Sequence, residues 1–140
     1  GPYTTVAKFP TGGGPAGIYE DPQIYEDARG NFHCLYHVYA HDSPAACAKS
    51  TVSAHAFSAD GLSWHISQTA PYGTQVELTT GETVTVATRE RPKLFFDDCG
   101  VMTHLLNGVC GAPNCTDHVI GCVDCKYAHW DYTLVQPLDV

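Results

Sequence analysis

At 140 residues the chain is long enough to bury one hydrophobic core and too short for two independent domains, so residues 1–140 are read as a single unit. Charged residues make up only 16%, and 13 glycines and 9 prolines are spread along the chain, a turn-rich globular profile rather than a disordered one. A net charge of −8, with seven Lys and Arg and no basic cluster, argues against nucleic acid or an anionic membrane as partner, and no apolar run approaches a membrane span. Neutral partners such as sugars fit this balance better.

In chain order, Pro22 to Tyr25 is a short apolar strand ended by Asp27-x-x-Gly30. Phe32 to Tyr39 alternates, with His33, Leu35 and His37 on one face and Cys34, Tyr36 and Val38 on the other, as expected of a strand between two environments. Ser58 to Trp64 reads as a hairpin turn around Asp60-Gly61, with Trp64 a core candidate. Gln75 to Thr88 is a hairpin, Val76 and Leu78 returning as Val84 and Val86 around Thr79-Thr80-Gly81-Glu82. Pro92 to Phe96 is another short strand, ended by Asp97-x-x-Gly100 and followed by a second strand. No window sustains an apolar period of 3.6, so the fold class is all-β, built of short antiparallel strands.

The first and last of these units are one pattern written twice. A shift of 70 positions places Glu20-Asp21-Pro22 on Glu90-Arg91-Pro92, Ile24-Tyr25 on Leu94-Phe95, Asp27 on Asp97, Gly30 on Gly100 and Leu35 on Leu105, without a gap. A repeat of this length in an all-β chain implies stacked or radial sheets, of which the propeller blade is the commonest. The two copies, starting near residues 20 and 90, are expected to share one core.

The stretches EDPQIYEDARGNFHCLYH, HAFSADGLSW and RERPKLFFDDCGVMTHLLNGV, with a closing YTLVQPL, resemble the later blades of five-bladed β-propeller glycoside hydrolases of the arabinofuranosidase, xylosidase and fructosidase type. The resemblance implies a polysaccharide-directed protein, active or binding only. In such enzymes three blades each aim one acidic residue at a central funnel: a base or nucleophile, an Asp that orients and tunes, and a Glu that protonates the leaving oxygen. Asp21, in Glu-Asp-Pro, matches the tuning Asp; Glu90, in Glu-Arg-Pro, matches the general acid. Both carboxyls are then expected to converge across one pocket. Arg91, His37, His55 and Asn107 are the expected substrate contacts, no cofactor is required, and an ion at the propeller axis is the alternative. A closed ring of five blades needs roughly 200 residues at about 40 per blade. This chain supplies about two, and nothing before Gly17 corresponds to the blade with the base. Another chain or further copies of this one would complete the ring; otherwise the protein is a non-catalytic carbohydrate-binding or structural derivative.

Seven cysteines and the acceptor pattern Asn114-Cys115-Thr116 favour a secreted, disulfide-bearing glycoprotein. Residues 110–125 form a cysteine-rich loop read as an insertion. Cys110, Cys115, Cys122 and Cys125 suit two local disulfides, with a structural zinc held by the same four sulfurs as the alternative. Cys34, Cys47 and Cys99 are left over, so one of the three is free or joined to another chain.

Overall fold

The structure, a computed structural model, describes residues 1–7, 9, 17–40, 53–86, 88–110 and 132–138. Nine strands and no helix occur among them: β1 (Gly17–Glu26), β2 (Phe32–Ala40), β3 (Ala54–Ser58), β4 (His65–Ile66), β5 (Gln75–Glu77), β6 (Thr83–Thr85), β7 (Thr88–Phe96), β8 (Met102–Cys110) and β9 (Tyr132–Pro137). All pair antiparallel, in a four-stranded sheet β1-β2-β3-β4, the hairpin β5-β6 and a three-stranded sheet β7-β8-β9. Among the described residues these sheets close neither a barrel nor a ring. The expected pairing of Cys110, Cys115, Cys122 and Cys125 and the glycosylation of Asn114 fall outside the described residues, Cys110 being described in its backbone alone. Cys34 and Cys99 are both free thiols.

The repeat is realised as two matching hairpins, β1-β2 and β7-β8. Their turns are built identically: Asp27 N–H donates to Asn31 O and Gly30 N–H to Asp27 O, while Asp97 N–H donates to Val101 O and Gly100 N–H to Asp97 O. Each turn aspartate then accepts two backbone N–H bonds with one carboxylate oxygen, Asp27 from Arg29 and Asn31, Asp97 from Cys99 and Val101. Gly30 and Gly100 sit at φ +84° and +78°, where a side chain would be strained, which is why Asp-x-x-Gly recurs.

Both hairpins also break at the same place. The ladder slips between Glu20 and Gln23 and again between Glu90 and Lys93. Pro22 and Pro92 lie in these gaps and have no N–H to give, so each bulge forms where the ladder could not continue, on an edge strand that tolerates it. Asp21 and Arg91, the residues before proline, both take φ +54°. The strands therefore begin upstream of the prolines, at Gly17 and Thr88, and not at Pro22 and Pro92 as the sequence reading has it. A second irregularity, at Phe95–Phe96, offsets the later hairpin by one residue: Glu20 lies opposite His37, but Glu90 opposite Gly108.

Strand β2, expected to lie between two environments, is buried on both faces. Cys34, Tyr36 and Val38 pack with Ala56 beneath Phe9, Tyr19, Trp64 and Ile66. On the opposite face Leu35 meets Tyr72, Leu94 and Leu105, which joins the four-stranded sheet to the three-stranded one. Burying each of these leucines contributes about 1.5–3 kcal/mol, so this small cluster is a principal tie between the copies. Gln23 adds a polar clasp: its side-chain amide donates to Leu94 O at 3.3 Å and accepts from Leu94 N–H, replacing a missing strand partner along the edge of β7. The turn at Ser58–Trp64 forms as expected, with Asp60 accepting from Leu62 and Ser63 N–H, Gly61 at φ +71° and the Trp64 indole N–H donating to Gly61 O. In the expected hairpin Val76 lies opposite Val84.

Candidate functional site

The bulges bring four ligating side chains together at the junction of the two sheets. Glu20 and His37 are cross-strand neighbours on β1 and β2, so their side chains leave the sheet on one face. Asp21 follows in the bulge, and Glu90 arrives from β7 of the adjoining sheet. One ligand atom from each of Glu20, Asp21, His37 and Glu90 lies within 4.8 Å of the other three. The His37 Nδ1 stands 3.9 Å from Glu20 Oε1 and 3.8 Å from Glu90 Oε2. The convergence of Asp21 with Glu90 expected from the repeat is present, and Glu20 joins it.

The environments of the three carboxyls differ. The Glu90 side chain is 6% exposed, whereas Glu20 is 43% and Asp21 32% exposed. Arg91 Nε lies 3.7 Å from Asp21 Oδ2 and is largely in solvent. The His37 ring is almost fully buried, and that burial lowers its pKa against the opposing pull of Glu20 and Asp21, favouring neutral imidazole.

Behind Glu90 lies a buried arginine. Arg89 is 1% exposed; its Nε donates to Asn107 Oδ1 at 2.8 Å, and its terminal nitrogens donate to Gly73 O at 3.2 Å and Gln136 Oε1 at 2.6 Å. Its guanidinium also lies 4.5 Å from the centroid of the Tyr72 ring. Burial pushes the Tyr72 hydroxyl up to about 12, so it stays protonated beside this charge. Asn107 completes the support by donating through Nδ2 to Glu90 O at 3.2 Å. Both ends of the Asn107 amide are thus engaged inside the protein, and Asn107 holds the backbone that aims Glu90.

His55 stands apart from the cluster. Its Nε2 is 2.9 Å from His33 Nδ1, and His33 Nε2 is 3.2 Å from Asp27 Oδ2. Asp27 is held well below the usual carboxylate range, first by hydrogen bonds from Asn31, so it accepts from His33 Nε2–H, and the two imidazoles share one hydrogen bond between His33 Nδ1 and His55 Nε2.

Of the residues anticipated for the site, Asp21, Glu90, Arg91 and His37 are assembled in one place, Asn107 lies behind them and His55 belongs to another network. Glu20 and Arg89 were not anticipated. The signal for Glu20 was already in the 70-residue shift, which places Glu20, and not Asp21, on Glu90. Three carboxylate oxygens and one imidazole nitrogen, this close together, also form a donor set for a hard divalent cation, whose ligands at about 2.3–2.6 Å can be up to about 5 Å apart. Comparison with protein-family models, curated proteins and solved structures finds no match for this chain.

Proposed function

We propose that the protein is a secreted, glycoside hydrolase-like β-propeller component that acts on a polysaccharide, with Glu90 as general acid and a second carboxylate as its partner. The observation that carries this reading is the meeting of Glu20, Asp21 and Glu90 around His37, from equivalent bulges of two repeated hairpins. Glycosidic cleavage needs two carboxyls in unlike environments, one keeping a proton and one ionised. Here the buried Glu90 suits the protonated role and the solvated Glu20 the ionised one. Retaining enzymes hold their carboxyls roughly 5–5.5 Å apart and inverting ones roughly 6.5–9.5 Å. A cluster whose ligand atoms lie within 4.8 Å supports the retaining class.

In that reaction Glu90 gives its proton to the glycosidic oxygen as the C1–O bond breaks, and Glu20 closes on C1 to form a glycosyl ester. Water, losing a proton to Glu90, then releases the sugar and frees Glu20. Asp21, paired with Arg91, holds negative charge beside the developing oxocarbenium. Glu20 thereby takes the role for which the sequence reading found no residue. The reading also expects another sheet, from a second copy or another chain, against the face of β7-β8-β9 that points away from β1-β2.

The test is exposure to aryl 2-deoxy-2-fluoroglycosides of arabinofuranose and xylopyranose, followed by intact mass. A single added glycosyl unit on the wild type, absent in Glu20→Gln, is expected, with Glu90→Gln slowing hydrolysis of the ordinary aryl glycosides at least a hundredfold. Absence of turnover and of labelling in the self-associated protein overturns it. The four-donor geometry favours a second reading, a non-catalytic carbohydrate-binding protein whose axis holds a divalent cation. Calcium or manganese binding by calorimetry, lost in Glu20→Gln and accompanied by no hydrolysis, would select that reading.

A further inference from the structure

At the opposite end of the four-stranded sheet lies a cavity of about 420 Å³, walled by the turns at Asp27 and Asp60 and lined by Arg29, Asn31, His33, Phe57, Ser63 and His65 among others. Its nearest lining residue on that ladder, His33, is four positions from His37 along β2, roughly 13 Å at about 3.3 Å per residue, and none of the four cluster residues lines it. Three of its lining residues, His33, Phe57 and His65, belong to a row of rings that runs across the strands and continues outside the cavity through Tyr25 and His55. Tyr25 stacks on His33 with centroids 5.0 Å apart, His33 lies beside His55 at 5.2 Å, and Phe57 spans from His55 at 6.1 Å to His65 at 5.7 Å. Phe57, in its lining, is 43% exposed and so offers an aromatic face to a ligand.

The charges in the walls are already spent on one another. Asp27 accepts from Arg29, Asn31 and His33, and Asp60 accepts from Ser58, Leu62 and Ser63, so neither carboxylate is presented to a ligand. The Arg29 charge is answered by Asp27 at 3.2 Å. The cavity therefore invites neither a cation nor an anion. It offers an apolar ring surface edged by groups with hydrogen-bonding capacity to spare: the Ser63 hydroxyl as acceptor, the exposed His65 ring and the solvent-facing remainder of the Arg29 guanidinium. A neutral molecule with one flat C–H face and a rim of hydroxyls matches that pattern.

We propose that this cavity is a second saccharide-binding site, in which a pyranose or furanose ring of a neutral polysaccharide stacks on Phe57 while Ser63, His65 and Arg29 bond its hydroxyls. The choice of ligand class rests on the carbohydrate reading above, whereas the site itself is independent of the carboxylates. The cavity would hold a chain at a distance from the cluster, as a guide or an anchor.

The test is a titration of the 15N-labelled full chain with xylohexaose and, separately, arabinohexaose, read by amide shifts. Saturable shifts at Phe57, Ser63 and His65 are expected, retained in a Glu20→Gln, Glu90→Gln double variant. Phe57→Ala is expected to weaken the binding at least tenfold. Because Phe57 also touches His55 and His65, Arg29→Ala, at an 82% exposed side chain, is the second variant and should weaken binding several-fold with an unchanged spectrum. Shifts at residues 57–65 without any around Glu20 and Glu90 would support this site while counting against the hydrolase reading. Shifts confined to β1 and β7, no shifts at millimolar sugar, unchanged affinity in both variants, or equal affinity for the planar probe indole would each overturn the proposal.

Discussion

Asp21 and Arg91 occupy the same position in the two copies, share a left-handed φ of +54°, and face each other across the junction with Oδ2 and Nε 3.7 Å apart. One repeat position thus carries opposite charges that pair with one another. Holding a non-glycine residue in this conformation costs about 1–2 kcal/mol, while an exposed ion pair contributes at most about 1 kcal/mol. Backbone strain therefore outweighs the pair. Arg91→Gly should leave stability unchanged or raise it by up to about 1 kcal/mol, whereas Arg91→Ala, which keeps most of the strain and loses the pair, should lower it by up to about 1 kcal/mol. Urea denaturation of the two variants checks this order, and a less stable glycine variant would contradict it.

The His33–His55 contact makes stability depend on pH. Burial, with His33 adding to it, lowers the His55 pKa below its ordinary value of about 6.5. The unfolded chain then binds a proton at His55 before the native protein does. The stabilisation is complete above about pH 6.5 and is lost as pH falls through the lowered native value. Urea midpoints measured from pH 7.5 down to 5 should fall, and in His55→Gln the fall should be shallower. An equally steep fall in the variant would show that other groups set the acid sensitivity.

The two thiols on the hairpins should differ in reactivity. Burial pushes the Cys34 thiol up to about 11, so almost no thiolate exists near neutrality, and Ala56 and Tyr36 pack around it. Cys99, at the same kind of turn as Arg29, is exposed. Iodoacetamide at pH 7.5 is expected to modify Cys99 within minutes and Cys34 only after denaturation, as read by peptide mass mapping. Comparable labelling of both in the native protein would contradict the packing described for β2.

The outer face of β7-β8-β9 carries Phe95, 57% exposed, and Val135, 54% exposed, opposite the face that packs Leu94 and Leu105. Exposed apolar residues on the free face of a narrow sheet recruit other sheets. Analytical ultracentrifugation is expected to show association that strengthens with concentration and is weakened by Val135→Lys. A sharp single-chain boundary at all concentrations, unaltered by the substitution, would remove the case for a completing partner.

Local chemistry made much of the fold legible before any coordinates. Asp27-x-x-Gly30 and Asp97-x-x-Gly100, the turn at Asp60-Gly61 and the Val76–Val84 hairpin each depend on residues within a few positions of one another, and alternation along Phe32–Tyr39 identified a strand between two environments. The site was harder to read where the period of two fails. The bulges at Pro22 and Pro92 break that alternation: Arg89 is 1% exposed and the Arg91 side chain 62%, although they stand two positions apart. Glu20 reaches Glu90, 70 positions away, only through the fold, although the repeat already aligned the two. The one-residue offset at Phe95–Phe96 is encoded by no short motif of the repeat.

The Gln23 clasp gives the array a direction. A carboxamide both donates and accepts, which lets Gln23 satisfy the N–H and the C=O of Leu94 together. The corresponding residue of the later copy is Lys93, whose ammonium can only donate. The later copy can be clasped but cannot clasp in turn. A further unit could not be joined beyond it by repeating the same junction; that boundary would need its own chemistry, and the two hairpins, though written alike, are not interchangeable parts.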